Sequence, residues 1–416
     1  MPRPYAELVD RPSLTSAVPE KCPSKRFGRL RSGISTLTVT APTWTAARNL
    51  LCVRLDTLGD VLMTGPAMRA LLAGRPDRRV TLLSSAAGAR AAALMPEVHD
   101  TIVYEAPWMK PEREPDPDPD LAMAARLRER GFDAAIVCTV YTQSALPAAL
   151  LCHLAGIPLR LAHCRENPYG LLTDWLPEPE PEEGVRHEVR RQLDLVAAVG
   201  AKARAKGLAV EVPDSARRRV AELGFAPDQR WVVVHPGSSA PSRSYPATAW
   251  AEACRELEHE HGIAVVLTGG ADEMGLTTSI RDRAGAGVSL AGTLDLAELA
   301  ALLEAAPLLL AGNTGPVHLA AAVGTPVVDV YALTNPQHTP WGVPSRVLFQ
   351  DVPCRWCYRS VCPEGHHHCV RGVAPREVVD ATLALLRGER LPPVTLPPVP
   401  ARTPRARSPA PRGPGS

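Results

Sequence analysis

Apolar segments alternate with helical segments along most of this chain, and this alternation limits the possible fold more than any other feature. Strand-like runs are predicted at 49–55, 79–84, 101–104 and 133–138, and again at 231–235, 263–268, 307–311 and 326–331. Helical periodicity follows nearly every run, which is typical of parallel sheets covered by helices on both faces. The sequence therefore predicts an α/β protein with two doubly wound, Rossmann-like domains facing one cleft.

The chain of 416 residues is long enough for two such domains between two tails. We assign the N-terminal domain to residues 47–212 and the C-terminal domain to residues 213–388. Residues 1–46 show no sustained periodicity, and residues 389–416 are rich in proline and arginine, so both tails are expected to be disordered.

Composition excludes several classes of protein. With 46 basic and 44 acidic residues the chain is nearly neutral, so charge gives no reason to expect a nucleic acid partner.

The sequence contains no apolar run long enough to span a bilayer and no secretion signal, so a cytoplasmic location is expected. The ten cysteines are then expected to be thiols or metal ligands. The arginine-bearing tail is expected to be solvated, with contact to anionic lipid at the membrane surface or to nucleic acid as the alternative.

The first predicted strand ends in a turn that holds Gly59 and Asp60. In a dinucleotide-binding fold this turn would seat a phosphate, and a carboxylate there would repel it. We therefore expect the phosphate to lie in the second domain with Asp60 facing it from the first, and helix capping is the alternative role of Asp60.

The second series carries signals for phosphate binding. Gly237, Ser238 and Ser239 follow one predicted strand, with Arg243 shortly after. A second strand ends in Asn313, Thr314 and Gly315, and a helix of small residues with His318 in it follows. Free amide groups at such a helix start, with a nearby guanidinium, favour a diphosphate in the second domain.

Four motifs in order resemble those of the family 9 glycosyltransferases, the ADP-heptose:lipopolysaccharide heptosyltransferases and their relatives. The motifs are RLDTLGDVLMTGPAMRAL, HPGSSAPSRSYPATAW, LTGGADE and GNTGPVHLAAAVGTPVVDVY. The resemblance covers about residues 48–388 and implies the two-domain GT-B fold. It also implies inverting transfer of a sugar, with an ADP-sugar favoured, to a hydroxyl of a glycan or glycolipid, with no cofactor for catalysis.

The resemblance also implies roles for single residues. Asp60 matches the family's proposed base, and Arg243 stands where many members have lysine. Asn313 replaces an aspartate, and Glu273, with Asp272 as the neighbouring alternative, falls near the nucleotide or sugar. On this basis Asp60 and Arg243 are the predicted catalytic residues. The predicted donor-binding residues are Gly237, Ser238, Ser239, Glu273, Asn313, Thr314, Gly315 and His318. The acceptor is expected to contact residues 163–175 of the first domain.

The segment CRWCYRSVCPEGHHHC at 354–369 contains four cysteines, namely Cys354, Cys357, Cys362 and Cys369. Soft ligands at this density in an intracellular chain favour a structural zinc ion, with a reduced thiol-rich loop or a disulfide as alternatives.

Two other functions fit the same sequence. A nucleotide-sugar epimerase or hydrolase of this fold would need no acceptor, and a non-catalytic, zinc-stabilised binding protein would transfer no sugar.

Overall fold

The computed structural model describes residues 42–109, 116–225, 230–389 and 396–399. From Pro42 onward the chain forms one compact unit that contains two six-stranded sheets, and every strand pair in both sheets is parallel. Residues 1–41 of the predicted N-terminal tail lie outside the described residues. Residues 396–399 of the predicted C-terminal tail are described, and Trp356 donates a hydrogen bond to the Pro398 carbonyl at 3.3 Å.

The first sheet has the strand order β3-β2-β1-β4-β5-β6. Its strands are β1 (Asn49–Arg54), β2 (Arg79–Ser84), β3 (Asp100–Val103), β4 (Ala134–Val137), β5 (Leu159–Cys164) and β6 (Asp174–Pro177). The helices of this half are α1 (Leu58–Ala73), α2 (Ala86–Ala92), α3 (Asp118–Glu129), α4 (Leu146–Leu154) and α5 (Glu188–Ala197). The register pairs Leu50 with Val80 and with Ala134, so β1 is central and buried on both faces.

The second sheet has the order β12-β11-β10-β7-β8-β9, which is the same topology. Its strands are β7 (Trp231–His235), β8 (Ala264–Leu267), β9 (Val288–Ser289), β10 (Leu309–Gly312), β11 (Val327–Val330) and β12 (Ser345–Leu348). The helices of this half are α6 (Asp214–Ala221), α7 (Ala247–His259), α8 (Met274–Ala284), α9 (Leu296–Ala305), α10 (Gly315–Val323), α11 (His368–Arg371) and α12 (Pro375–Leu386).

The strand order reverses between β1 and β4 in the first sheet and between β7 and β10 in the second. The loops that leave two such neighbouring strands run to opposite faces, which opens a crevice at their carboxyl ends. One apolar core cluster includes residues of α1 and of α10, so the two halves are packed together through these helices.

Some elements were missed or misread in the sequence. The stretch 201–230, between the two predicted series of strands, contains α6, whose Ala216 and Val220 are buried. The segment 163–175, which is expected to contact the acceptor, begins in β5 and ends in the edge strand β6. Within the described ranges no helix combines the length and apolar character needed to cross a membrane.

Candidate active site

Arg54, the last residue of β1, lies at the centre of a buried cluster of charges. Its guanidinium has no exposed surface and pairs with three carboxylates: Asp56 at 2.8 Å, Asp60 at 3.0 Å and Glu188 at 2.6 Å. A buried arginine is stable only when its charge is paired, so one cation here holds three acids in fixed positions. The cluster as a whole has an excess of negative charge.

Asp60 lies in the first turn of α1. Its carboxylate accepts hydrogen bonds from the Thr57 hydroxyl at 2.8 Å and the Thr57 amide at 3.2 Å, so Asp60 does cap this helix. Burial alone would raise the pKa of Asp60, but the Arg54 charge and the Thr57 hydroxyl hold that pKa well below its usual range. Asp60 is therefore ionised at every physiological pH, and its capping role coexists with a fixed negative charge at the cleft.

Asp56 behaves differently, although it contacts the same guanidinium. Its other carboxylate oxygen accepts a hydrogen bond from the Gln143 amide at 2.6 Å. Burial, together with the negative charges of Asp60 and Glu188, outweighs Arg54 and raises the pKa of Asp56 to about 6.

The starts of α1 and α10 meet across the cleft, as the two-domain interpretation requires. A Cβ atom added to Gly59 would lie 2.5 Å from His318 Cδ2, and one added to Gly315 would lie 3.1 Å from Leu58 Cδ2. A side chain at 59 would force the helix starts to shift, and one at 315 would need Leu58 to move by a few tenths of an ångström, so the two helix starts are in close contact. Asp60 is thereby placed opposite Thr314 and His318.

Polar atoms without partners cluster on the second-domain side of this junction. Among the described residues, Arg243 Nε, Asn313 Nδ2, Thr314 Oγ1 and His318 Nδ1 are buried without a hydrogen bond. Each such atom costs about 1–3 kcal/mol when no ligand satisfies it. α10 has no acidic residue in its first turn, so its positive dipole end is uncompensated. Together these groups form a site that favours an anion.

The loop between β11 and β12 supplies a residue that the sequence did not reveal. His338 Nε2 lies 3.6 Å from Asp60 Oδ1, and burial lowers the pKa of His338, so this ring is neutral at pH 7. The loop is held in place by α5, because the Glu188 amide donates to the Gln337 carbonyl at 3.0 Å. His338 therefore contributes a neutral imidazole and no permanent charge.

A separate cavity of about 600 Å³ lies at the carboxyl end of β7. Ser238, Asp272 and Glu273 line it, together with His367 and Arg371 from the segment that follows β12. The Gly270 amide donates to Glu273 at 2.9 Å, and Glu273 lies so close to Gly237 that a Cβ atom there would be 1.8 Å from Oε1. Glycine at 237 thus makes room for the Glu273 carboxylate.

The predicted donor-binding residues lie at two different places in the structure. Asn313, Thr314, Gly315, His318 and Arg243 surround the helix junction, as described above. Gly237, Ser238 and Glu273 lie instead at the larger cavity, and Ser239 is exposed beside them. The arrangement suits an extended ligand whose charged end lies at the junction.

The four cysteines of the 354–369 segment converge on one small cavity of about 20 Å³. Cys354 Sγ lies 3.5 Å from His366 Nε2. Among the described residues, one group of three possible metal ligands has all its ligand atoms within 4.8 Å of one another, and it consists of Glu256, Glu260 and His261. The ligand atoms of the described cysteine segment form no such group of three, so they are spread more widely. The donor set suits zinc, but the thiols would have to draw closer around an ion.

The same segment supports the turn that carries Arg243. Ser242 donates its amide to the Ser360 carbonyl at 2.9 Å and its hydroxyl to the Arg359 carbonyl at 2.7 Å. If the cysteine loop is fixed in place, these two hydrogen bonds also fix Ser242, the residue next to Arg243.

A model of the family described as "Glycosyltransferase family 9 (heptosyltransferase)" matches residues 121–368, which is more than half of the chain. The chain belongs to glycosyltransferase family 9. It is therefore a glycosyltransferase enzyme, as its motifs predicted.

Relatives of this family 9 glycosyltransferase align over most of its length. Lipopolysaccharide heptosyltransferase 2 of Escherichia coli (strain K12) is 24% identical over 355 residues, which cover 82% of this chain and 99% of that protein. A family 9 glycosyl transferase from Veillonella parvula has a TM-score of 0.70 at 19% identity, covering 83% and 98% of the two chains. E. coli ADP-heptose lps heptosyltransferase II has a TM-score of 0.64 at 22% identity, covering 82% and 99%. The GT-B fold predicted from the motifs is confirmed.

The sequence predicted Asp60 and Arg243 as catalytic residues, which stays a prediction, and it did not single out Arg54, Asp56 and Glu188. Arg54 and Asp56 stand within the RLDTLGD motif, so their spacing to Asp60 was visible. Glu188 comes from a helix far along the chain, and no local pattern connects it to β1.

Proposed function

We propose that this enzyme transfers a heptose from ADP-heptose to a hydroxyl group of a glycan or glycolipid, with inversion at the anomeric carbon. One observation carries the proposal: the starts of α1 and α10 meet, with a fixed carboxylate on one and unpartnered polar groups on the other. ADP-heptose is chosen because the E. coli relative of known structure is named for it.

On the donor side, the diphosphate would lie at the start of α10, with the nucleoside in the 600 Å³ cavity beside Glu273. When the bond between the anomeric carbon and the phosphate oxygen breaks, negative charge builds on the departing ADP. Arg243 Nε is buried without a hydrogen bond, and the charge of Arg243 acts on the buried Asp329 carboxyl, whose pKa is nevertheless raised by burial. The guanidinium would supply its charge to that phosphate. The Thr314 hydroxyl and the helix dipole would add neutral donors.

On the acceptor side, a hydroxyl oxygen would attack the anomeric carbon from the face opposite ADP. Its proton would pass to Asp60, which is ionised and lies across the junction from α10. Because the pKa of Asp60 is low, it is a weak base. It would accept the proton late, once attack has made the hydroxyl acidic. A single displacement of this kind inverts the anomeric configuration.

The test uses purified full-length enzyme, ADP-heptose and a panel of lipid-free core oligosaccharides. NMR of the product should show the anomeric configuration opposite to that of the donor. Transfer should continue after brief treatment with a chelator, because Arg243 and the helix start take the place of a divalent ion. A retained configuration would contradict the proposal, and so would ADP release as fast without acceptor as with it, which is the behaviour of a hydrolase.

The location of the reaction belongs to the same proposal. If the acceptor is a glycolipid, the enzyme would work in the cytoplasm at the inner face of the membrane. Sedimentation with vesicles of anionic phospholipid tests this, and equal sedimentation after deletion of residues 401–416 would exclude a role for the arginine-bearing tail.

We also propose that Cys354, Cys357, Cys362 and Cys369 hold a structural zinc ion. Their convergence on one cavity, and the hydrogen bonds from Ser242 to this segment, support a role in fixing the turn of Arg243. Purified protein should contain about one zinc per chain.

The matched variants are Cys357→Ser in the cluster and Cys254→Ala in the buried core of the second half. Cys357→Ser should lower both zinc content and melting temperature, whereas Cys254→Ala should keep its zinc whatever its stability. Zinc-free wild-type protein that melts at an unchanged temperature would overturn the assignment.

A further inference from the structure

The crevice between β1 and β4 contains a cavity of about 440 Å³ that the proposed donor site does not use. It lies at the point where the strand order of the first sheet reverses, which is where ligands bind in sheets of this kind. Its polar lining comes from the carboxyl ends of β1 and β4, namely Asp56, Thr139, Thr142, Gln143 and Ser144. The segment 163–175, expected to contact the acceptor, contributes none of the cavity's described lining.

Charge in this cavity is limited to one group. Among the described lining residues, Asp56 is the only one with a carboxylate, and none has a basic side chain. Arg54 lies behind Asp56 with no exposed surface, and its three nitrogen atoms face Asp56, Asp60 and Glu188. The described lining therefore offers no cation to a phosphate or carboxylate, and Asp56 would repel one.

We propose that this cavity binds the acceptor sugar, that Asp56 accepts hydrogen bonds from its hydroxyl groups, and that the bound sugar unit is uncharged. The proposal rests on the proposed glycosyl transfer and adds the class of acceptor. Hydroxyl groups donate readily to a fixed carboxylate, and such charge-assisted hydrogen bonds are stronger than those between neutral groups. Trp108 and Met109, on one wall of the cavity, supply apolar surface for the CH face of a sugar ring.

The geometry also connects this cavity to the predicted base. Asp56 and Asp60 contact Arg54 through different nitrogen atoms of one guanidinium, at 2.8 Å and 3.0 Å. Asp60 is not among the described lining of the cavity, and the proposal places the reacting hydroxyl of a sugar held by Asp56 on the side that faces Asp60. Asp56 would bind the acceptor while Asp60 receives the proton, so substitutions should separate the two roles kinetically.

Ionisation of Asp56 gives the proposal a pH signature. Arg54 from β1, Asp60 from α1 and Glu188 from α5 are the charged groups that face Asp56, and burial with the two acids raises its pKa to about 6. The carboxylate form accepts hydroxyl donors, and the protonated form loses most of that capacity. The acceptor KM should rise as pH falls through about 6, and Asp56→Asn should abolish this rise.

The experiment measures transfer from ADP-heptose to matched oligosaccharides that differ only in a phosphate on the sugar unit that carries the acceptor hydroxyl. The uncharged acceptor should be preferred. Asp56→Asn should raise the acceptor KM by roughly 10- to 100-fold, the range expected for a lost hydrogen bond to a charged group, with a smaller change in kcat. The donor KM should stay unchanged. Preference for the phosphorylated acceptor, or an unchanged KM in Asp56→Asn, would overturn the proposal.

A second variant avoids dependence on Asp56. Thr142 is an exposed residue at the cavity, so Thr142→Trp should block the acceptor without disturbing the core. Thr278→Trp, on an exposed face of α8, is the matched control and should behave as wild type. Equal acceptor KM values for Thr142→Trp and wild type would also contradict the proposal.

A binding assay separates failure of this proposal from failure of glycosyl transfer. Saturation-transfer NMR on ADP-loaded protein measures contact with methyl glycosides of neutral hexoses and heptoses and with their phosphate monoesters. Neutral glycosides should bind, and Thr142→Trp should remove that binding, even if no panel member accepts a heptose. Stronger contact by the phosphate monoesters would overturn the proposal while ADP binding stays intact.

Discussion

The crevice between β1 and β4 and the crevice between β7 and β10 lie at equivalent positions in two sheets of the same topology. The charged groups beside the two helix starts nevertheless differ. Asp56 and Asp60 surround one buried arginine at the start of α1, whereas Arg243 and unpartnered neutral groups lie at the start of α10, with the acids Asp272 and Glu273 at the separate cavity beyond β7. The fold thus provides two binding places, and the charge at each decides which substrate is suited to it.

The helix starts at the two crevices show the same contrast. In α1 the first turn contains Asp60, whose carboxylate caps the Thr57 amide and offsets the helix dipole. In α10 the first turn contains no acid, and the Thr314 hydroxyl has no partner. We infer that this one carboxylate gives two helices of similar position different roles, namely proton transfer at α1 and phosphate binding at α10.

The largest effect is expected from Asp60→Asn. Asparagine keeps the size of the side chain but cannot accept the acceptor's proton, so turnover should fall by roughly 100- to 10,000-fold. The variant also removes the charge paired with Arg54. Because the pKa of Asp60 is held low by that pair, its ionised form stabilises the fold at neutral pH, and Asp60→Asn should melt at a lower temperature.

The control for this variant is Asp214→Asn, which changes an exposed first-turn aspartate on the surface helix α6. It should leave turnover unchanged. Wild-type turnover in Asp60→Asn would show that the carboxylate at the acceptor crevice takes no part in the reaction.

A smaller loss is expected when the cation on the other side is removed. Arg243→Ala should reduce turnover by ~100-fold or more, which is the range for a lost electrostatic donor to a leaving group. Arg243→Lys should recover part of the loss, since lysine keeps the charge but not the planar geometry. Steady-state kinetics with saturating donor measure both variants, and equal rates for alanine and wild type would place the diphosphate elsewhere.

The smallest effect concerns the junction between the crevices. Gly59→Ala would place a methyl group 2.5 Å from His318 Cδ2, so the two helix starts must shift apart. Such overpacking costs about 1–3 kcal/mol and should lower the melting temperature and the rate together. Gly74→Ala at the other end of α1 is the matched control, because its nearest atom would be 3.6 Å away and its φ is −76°. Identical melting of both variants would mean that the junction is looser than this structure shows.

Periodicity predicted the central strands because β1 and β7 are buried on both faces and read as continuous apolar runs. It missed the edge strand β12, the edge strand β6, whose sequence DWLP is half exposed and contains a proline, and β9, which has two residues. It also missed the interior strand β5, which is buried but whose sequence LRLAHC is interrupted by Arg160 and His163. Edge strands bury less apolar surface, so they leave a weaker pattern in the sequence.

The site shows a similar division. Arg243 and Thr314 come shortly after predicted strands, so the rule that ligands bind at the carboxyl ends of strands was enough to predict them as candidate site residues. Glu188 and His338 come from a distant helix and a distant loop, and only the packing of α5 against the loop after β11 brings them to Arg54 and Asp60. Sequence periodicity reports which face of an element is buried, but it does not report which distant element covers that face.

Equilibrium binding of ADP to two single variants tests the division between the crevices most directly, because it needs no acceptor. Calorimetry should give Asp60→Asn the same ADP affinity as wild type, since that carboxylate lies on the acceptor side of the junction. Arg243→Ala should bind ADP at least about 10-fold more weakly, because a charge-assisted contact to the diphosphate is lost. Unchanged affinity in Arg243→Ala together with weakened binding in Asp60→Asn would contradict the assignment of donor and acceptor to the two crevices.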